Sequence, residues 1–306
     1  MKLTWIAVPT LLVPVLAFSQ APAADSPTTA RVEQEKEQSI QFLRLVNDEQ
    51  NGARLEAAEV TYRNPDGVTL RLVAAVHIAE KSYYDAIAAN FENDDAVLYE
   101  MIKEHGAPMP APGAPNDHSV AKLQKFLRDK LDLTYQLDAI DYRKANFVHA
   151  DLDLHTFMRL QEERGESMAT ILLNSMSAAM AGKGAGPAGT GDPATDLIWL
   201  IASPDPERQM KLSLARQMQD IEALAMGLDG PNGSVILSER NKKAISVLQE
   251  QMKLGHRKIS IFYGAAHMPD LARRVEELSF TPVSTQWHTA WDVTIRKDRP
   301  SMLQRW

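Results

Sequence analysis

Two apolar runs of strand length, one toward each end of the chain, each lead through a turn and a histidine into a helix. This repeated pattern constrains the fold more than any other feature. The first is VTLRLVAAVH (68–77), followed by the helical pattern EKSYYDAIAANF (80–91). The second is KISIFYG (258–264), then AAH, then PDLARRVEEL (269–278). Runs that stay apolar without alternating belong to strands covered on both faces. A strand, helix and strand in succession imply parallel strands joined by a right-handed crossover. AVLYEM (96–101) completes the first unit and FTPVSTQW (280–287) the second. The expected fold is therefore α/β, with a mainly parallel central sheet made from N- and C-terminal βαβ units.

The segments between these units read as helices packed over that sheet: 120–131, 154–165, 168–180, 206–224 and 235–252. Two stretches rich in Gly, Pro and Ala interrupt them, 104–117 and 181–196, and read as flexible insertions. Ahead of the first unit, a helix is expected near 37–49. AEVTYR and VTLRLV follow, joined by Asn64-Pro65-Asp66-Gly67, a strong hairpin signal because Pro presets φ and Gly accepts a positive φ.

The amino terminus has the pattern of an export signal: Lys2, an apolar run from Trp5 to Ala17, and the small-x-small sequence Ala21-Pro22-Ala23. Cleavage near Ala23 is expected, then a polar linker over 24–36 and one domain over 37–306. The expected location is the periplasm or the exterior, with no transmembrane helix in the mature protein. The chain of 306 residues is 44% hydrophobic and 24% charged, enough for a large core without disulfides, and it has no cysteine to form them. A formal net charge of −7 offers no basic face for nucleic acid. Any metal site must use His, Asp and Glu. G-x-S-x-G, a phosphate-binding glycine loop and H-E-x-x-H are all missing, which disfavours serine hydrolases, NTPases and zincins.

Ligands in open α/β sheets bind beyond the C-terminal ends of the strands. His77 and Glu100 end the two strands of the first unit, and His267 follows the strand of the second. If the strands share a sheet, two imidazoles and a carboxylate meet at one edge, an apt set for a divalent ion with open positions. The same set could act without metal, a histidine or Glu100 serving as general base. A lone histidine at a strand end is ordinarily a loop or core residue; the repeated context is what lifts His77 and His267 above that. Gly264 permits a tight turn and close approach to a ligand. Arg240, in a charged helix, reads as a solvated face or an ion pair, or else as an anchor for Glu100 or a clamp on a substrate carboxylate or developing oxyanion. In FVHADLDLHTF, His149, Asp151, Asp153 and His155 alternate. On a strand they would face one way as a second metal site, but the helix that follows favours Asp151 or Asp153 as its N-cap. His149 and Asp151 remain secondary site candidates. His105, His118, His256 and His288 read as surface residues, and the methionines at 168, 176, 180, 210, 218 and 226 as helix packing.

VAAVHIAEKSYYDAI, AVLYEM, SERN and IFYGAAHMPDL, in that order, resemble the motifs of the TraB/GumN/Tiki family. That family is marked by two G-x-x-H motifs, a glutamate ending the strand after the first, and an arginine before the second. The resemblance spans about 58–290 and carries these roles onto His77, His267, Glu100 and Arg240. Ala74 replaces the first glycine, a departure that puts specificity in question more than chemistry. The resemblance implies a fold shared with erythromycin esterases and haem-binding ChaN-type proteins. It also implies metal-dependent hydrolysis of peptide or protein substrates, with Mn or Co favoured and Zn an option. Its relatives open two further readings. One is a haem-binding protein without turnover, with Tyr83, Tyr84, His77 or His267 as axial ligands. The other is a metal-independent esterase.

Overall fold

A computed structural model describes residues 40–48, 52–109, 111–112, 131–166, 205–219, 229 and 233–294. Its main sheet has seven strands: β1 (Leu43–Asp48), β2 (Gly52–Arg63), β3 (Thr69–Ala75), β5 (Ala96–Tyr99), β7 (Phe147–His149), β8 (Lys258–Gly264) and β9 (Thr281–Thr294). A small second sheet pairs β4 (Ile78–Ala79) with β6 (Thr134–Tyr135). The helices are α1 (Lys81–Phe91), α2 (Gln136–Ala139), α3 (Leu154–Arg164), α4 (Pro206–Gln219), α5 (Arg240–Lys253) and α6 (Met268–Glu277).

The parallel core runs β3-β8-β5-β7, and β2 joins β3 antiparallel. One long strand, β2, serves both β1 and β3, its first half pairing with one and its second half with the other, while β9 runs along its other edge. Every strand of this sheet except β2 points the same way, as the mainly parallel expectation required. All of β5, and β8 from Ile259 onward, is buried, the signature of strands covered on both faces. Side chains alternate across β8: Phe262 packs its ring against Phe91 of α1, while Tyr263, facing the other way, donates its hydroxyl to Ala150 O at 2.6 Å. On the α5 and α6 side those helices lie against β5 and β3.

The β2–β3 turn forms as its residues dictate. Gly67 has φ +77°, its N–H donates to Asn64 O at 3.1 Å, and Asn64 Oδ1 accepts from Val68 N–H at 2.8 Å.

One expectation is corrected. Within the stretch expected to be a helix near 37–49, Leu43–Asp48 is β1, because pairing with β2 satisfies its backbone and buries Phe42 and Leu43. The strands of each βαβ unit are parallel as expected but not adjacent. β8 is inserted between β3 and β5, and β9 crosses to the far edge of the sheet to meet β2. In the middle of the chain, α3, α4 and α5 match expected helices. The helix at 168–180, nearly all of 120–131, the insertion at 181–196 and part of 104–117 lie outside the described residues. So do the signal segment and the linker. Met210 and Met218 pack against the core; the methionines at 168, 176, 180 and 226 are not described.

Candidate active site at the ends of β3, β8 and β5

Insertion of β8 makes the three motif-bearing strands neighbours, in the order β3-β8-β5, so His77, His267 and Glu100 emerge side by side at one sheet edge.

The backbone around His77 is held by donors from three separate elements. Tyr83 and Tyr84 hydroxyls donate to Ala74 O and Val76 O at 2.6 and 2.7 Å. Gln136 N–H donates to His77 O at 2.9 Å, and Trp291 Nε1–H to Ile78 O at 2.6 Å. Both tyrosines are thus fully committed in the core, and neither is presented as an axial ligand for haem.

Glu100 follows β5 and extends its ladder, its N–H donating to Phe262 O at 3.3 Å. Its Oε2 accepts from Gly264 N–H at 2.7 Å, and its Oε1 accepts from Arg240 Nη2 at 2.7 Å. His267 Nε2 stands 3.6 Å from the same Oε1. Burial by itself would raise the Glu100 pKa; Arg240, His267, His77 and the Gly264 amide together outweigh it and hold the carboxyl well below its usual range.

Gly264 has φ −52° and ψ 142°, which any residue adopts, so the tight-turn argument for a glycine falls away. Close approach is what requires it. A Cβ there would sit 2.9 Å from His77 Nε2 and 3.3 Å from Glu100 Oε2. The missing side chain leaves the space that both groups border.

Arg240 begins α5 directly after a wide π-helical turn, Val235–Glu239, the kind of irregularity that recurs at functional sites. That turn is capped by Ser234 Oγ, which accepts from Leu237 N–H at 3.1 Å and is itself clamped by Asp229. Arg240 is buried. Beyond Glu100, its Nε and Nη2 donate to Asp151 at 3.0 and 2.6 Å, and its Nη1 lies 3.5 Å from His267 Nε2. Burial opposes its charge, but Asp151 and Glu100 more than compensate and keep it cationic. Arg240 is therefore no solvated face; it is a buried ion pair with Asp151 and Glu100, and it anchors Glu100. Asp151 does not cap α3. Asp153 does, accepting from Thr156 N–H at 2.9 Å, while Asp151 is the buried counter-ion of Arg240.

His267 is buried in a short 3₁₀ turn between β8 and α6. Burial is the main cause that lowers its pKa, to about 4, opposed by Glu100. Its Nδ1 lies 2.7 Å from Asn241 Oδ1. Asn241, directly after Arg240, was not anticipated from sequence, nor was Asp270, which accepts from Asn241 Nδ2 at 2.8 Å. Their positions beside Arg240 and three residues after His267 are the only signal that could have marked them.

The remaining candidates lie elsewhere. His149 Nε2 lies 2.6 Å from Met101 O, His155 is exposed, and Asp153 is used as a cap, so the alternating His/Asp stretch does not converge on a second metal site. His105 is exposed and His256 half-buried. His288 is not a surface residue: it is buried, with Nε2 3.1 Å from Glu59 Oε2. His118 lies outside the described residues. Among the described residues, no group of three or more His, Asp or Glu side chains stands in a geometry ready to hold a metal ion, and no helix is long and apolar enough to cross a membrane. Comparisons with known families, with curated proteins and with solved structures find no match to this chain.

Proposed function

We infer that the chain is an exported hydrolase, acting on peptide bonds in peptide or protein substrates, whose water-activating centre is His77, Glu100 and His267 with Arg240 beside them. The observation that carries the reading is the convergence on Glu100: His77 borders with it the space left by Gly264, and Arg240 and His267 stand at its other oxygen. Peptide substrates, and a preference for Mn or Co over Zn, come from the motif resemblance to the TraB/GumN/Tiki family.

The donor chemistry fits a divalent cation. Two carboxylates, Glu100 and Asp151, face one guanidinium, and two imidazoles add nitrogen donors. His77, Glu100 and His267 would hold the ion. When bound, it supplies Lewis acidity, lowering the pKa of water and polarising the scissile carbonyl. Glu100, held ionised, would be the anionic member of that set. Arg240 orients Glu100 through Nη2, and its fixed positive charge, with Nη1 beside His267 Nε2, would favour negative charge developing at the site. Asp151 keeps Arg240 in place.

One observation favours a second reading, ester hydrolysis without metal. Arg240 already sets a fixed cation against Glu100 and His267, in the role an ion would have, and a histidine would then serve as the base.

The deciding experiment is calorimetric titration of Mn²⁺, Co²⁺ and Zn²⁺ into the metal-stripped mature protein. His77→Ala, His267→Ala and Glu100→Gln are run beside it, followed by peptide and ester hydrolysis with and without chelator. Saturable binding lost in all three variants, with chelator-sensitive peptide hydrolysis, is the expected result. Chelator-resistant ester hydrolysis without metal binding establishes the second reading instead. No hydrolysis under any condition, by a folded protein, overturns both.

A further inference from the structure

Behind the site, a line of polar side chains leads from the surface of α6 to His267. Arg273 Nη2 donates to Asp270 Oδ1 at 2.6 Å, and Arg274 Nε donates to Asp270 Oδ2 at 2.5 Å. That Oδ2 also accepts from Asn241 Nδ2 at 2.8 Å, and the same Nδ2 lies 3.3 Å from His267 O. Asn241 is wholly buried, and its Oδ1 is 2.7 Å from His267 Nδ1.

An amide has one accepting end and one donating end, so its orientation decides what it offers the ring. Here the orientation is dictated from behind. A carboxylate held by two guanidinium groups only accepts, and so does the His267 carbonyl. Turning the Asn241 amide over would set its oxygen against both, leaving acceptors unpaired in a buried place at a cost of about 1–3 kcal/mol each. Its oxygen must therefore face Nδ1, and an oxygen at that distance needs an N–H.

We propose that Asn241 is a positioning residue, oriented by Asp270, which holds His267 as the Nδ1–H tautomer and so turns an unprotonated Nε2 toward Glu100 and Arg240. Its part in chemistry rests on the hydrolase reading; the tautomer itself does not. With the lone pair on Nε2, the ring can ligate an ion or accept a proton from water. The other tautomer would present an N–H there and do neither.

The test is a long-range ¹H–¹⁵N correlation spectrum of the full chain labelled at histidine, near neutral pH. The His267 signals are assigned as those lost in His267→Gln. The wild type is expected to show a protonated Nδ1 and an unprotonated Nε2. Asn241→Leu removes the acceptor, and Asp270→Asn removes the charge that orients it; in each, an Nε2–H form should appear. A wild-type ring protonated on Nε2 overturns the inference, as does an unchanged tautomer in Asn241→Leu with a native-like backbone spectrum. If that variant does not fold, the wild type and Asp270→Asn still decide. Zn²⁺ titration gives an independent readout, with Asn241→Leu weakening affinity by about 10–100-fold. A wild type that binds no metal yet shows the Nδ1–H ring removes the metal reading and leaves this one standing.

Discussion

At the scale of single residues, the site depends on an absence. Gly264 has no conformational need to be glycine, yet the atoms its Cβ would meet are His77 Nε2 and Glu100 Oε2. Because those are side-chain ends and not backbone, Gly264→Ala should displace the site and spare the fold. We expect metal affinity or hydrolysis to fall at least about tenfold while stability changes by less than about 1 kcal/mol, measured by calorimetry and thermal unfolding. A large drop in stability would show that the glycine serves packing instead. His77, Glu100 and His267 could be singled out in the sequence because each follows or ends an apolar run of strand length, and Arg240 because of the SERN motif around it. Asp151 and Asn241 could not be given their roles. An aspartate ahead of a helix reads as a cap, and only the fold brings it to a guanidinium in a different part of the chain.

At the scale of elements, helix α1 does more than cover the sheet. Its two adjacent tyrosines close carbonyl groups on the backbone leading to His77, which ties the helix to the strand end that carries the site. Tyr84→Phe keeps the ring and leaves Val76 O without this donor in a buried place. The expected loss is about 1–3 kcal/mol in denaturant unfolding, with a parallel weakening of ligand binding as the segment loosens. A neutral effect on both would mean the hydroxyl is dispensable for holding this turn. Helix and strand periodicity predicted α1, β3, β5, β8 and α6 well, since each carries its own pattern. It failed at β1, whose strand pairing depends on β2 and not on local preference.

At the scale of the molecule, a second buried polar network joins strands that the sequence keeps far apart. Arg71 of β3 donates to Glu59 of β2, to Asp94 ahead of β5 and to Ser260 of β8, while His288 of β9 and Asn90 of α1 also meet Glu59. Burial would raise the Glu59 pKa, but His288, Arg71 and Asn90 together bring it below 4.5; Asp94, in the same network, is raised, chiefly by burial. The sign for Glu59 follows from linkage. A depressed carboxylate adds stability above its unfolded pKa, and that stability is lost as pH falls through the folded value. The wild type should therefore be more stable than Glu59→Gln at about pH 6, with the difference shrinking toward about pH 3 in paired thermal melts. A difference that stays constant with pH would assign the effect to packing and not to charge.

The sequence by itself determined the class of fold and the kinds of side chain its candidate site contains. Apolar runs of strand length followed by helices compel a largely parallel sheet, and histidine, glutamate and arginine carry their reactivity wherever they fall. Tertiary structure alone decided that β8 lies between β3 and β5, that β9 crosses to β2, and that Asp151 and Asn241 hold the reactive groups. Strand order is set by which faces can be covered together and which backbone groups can be paired, and those are properties of the assembled chain. A local window of sequence carries no record of them.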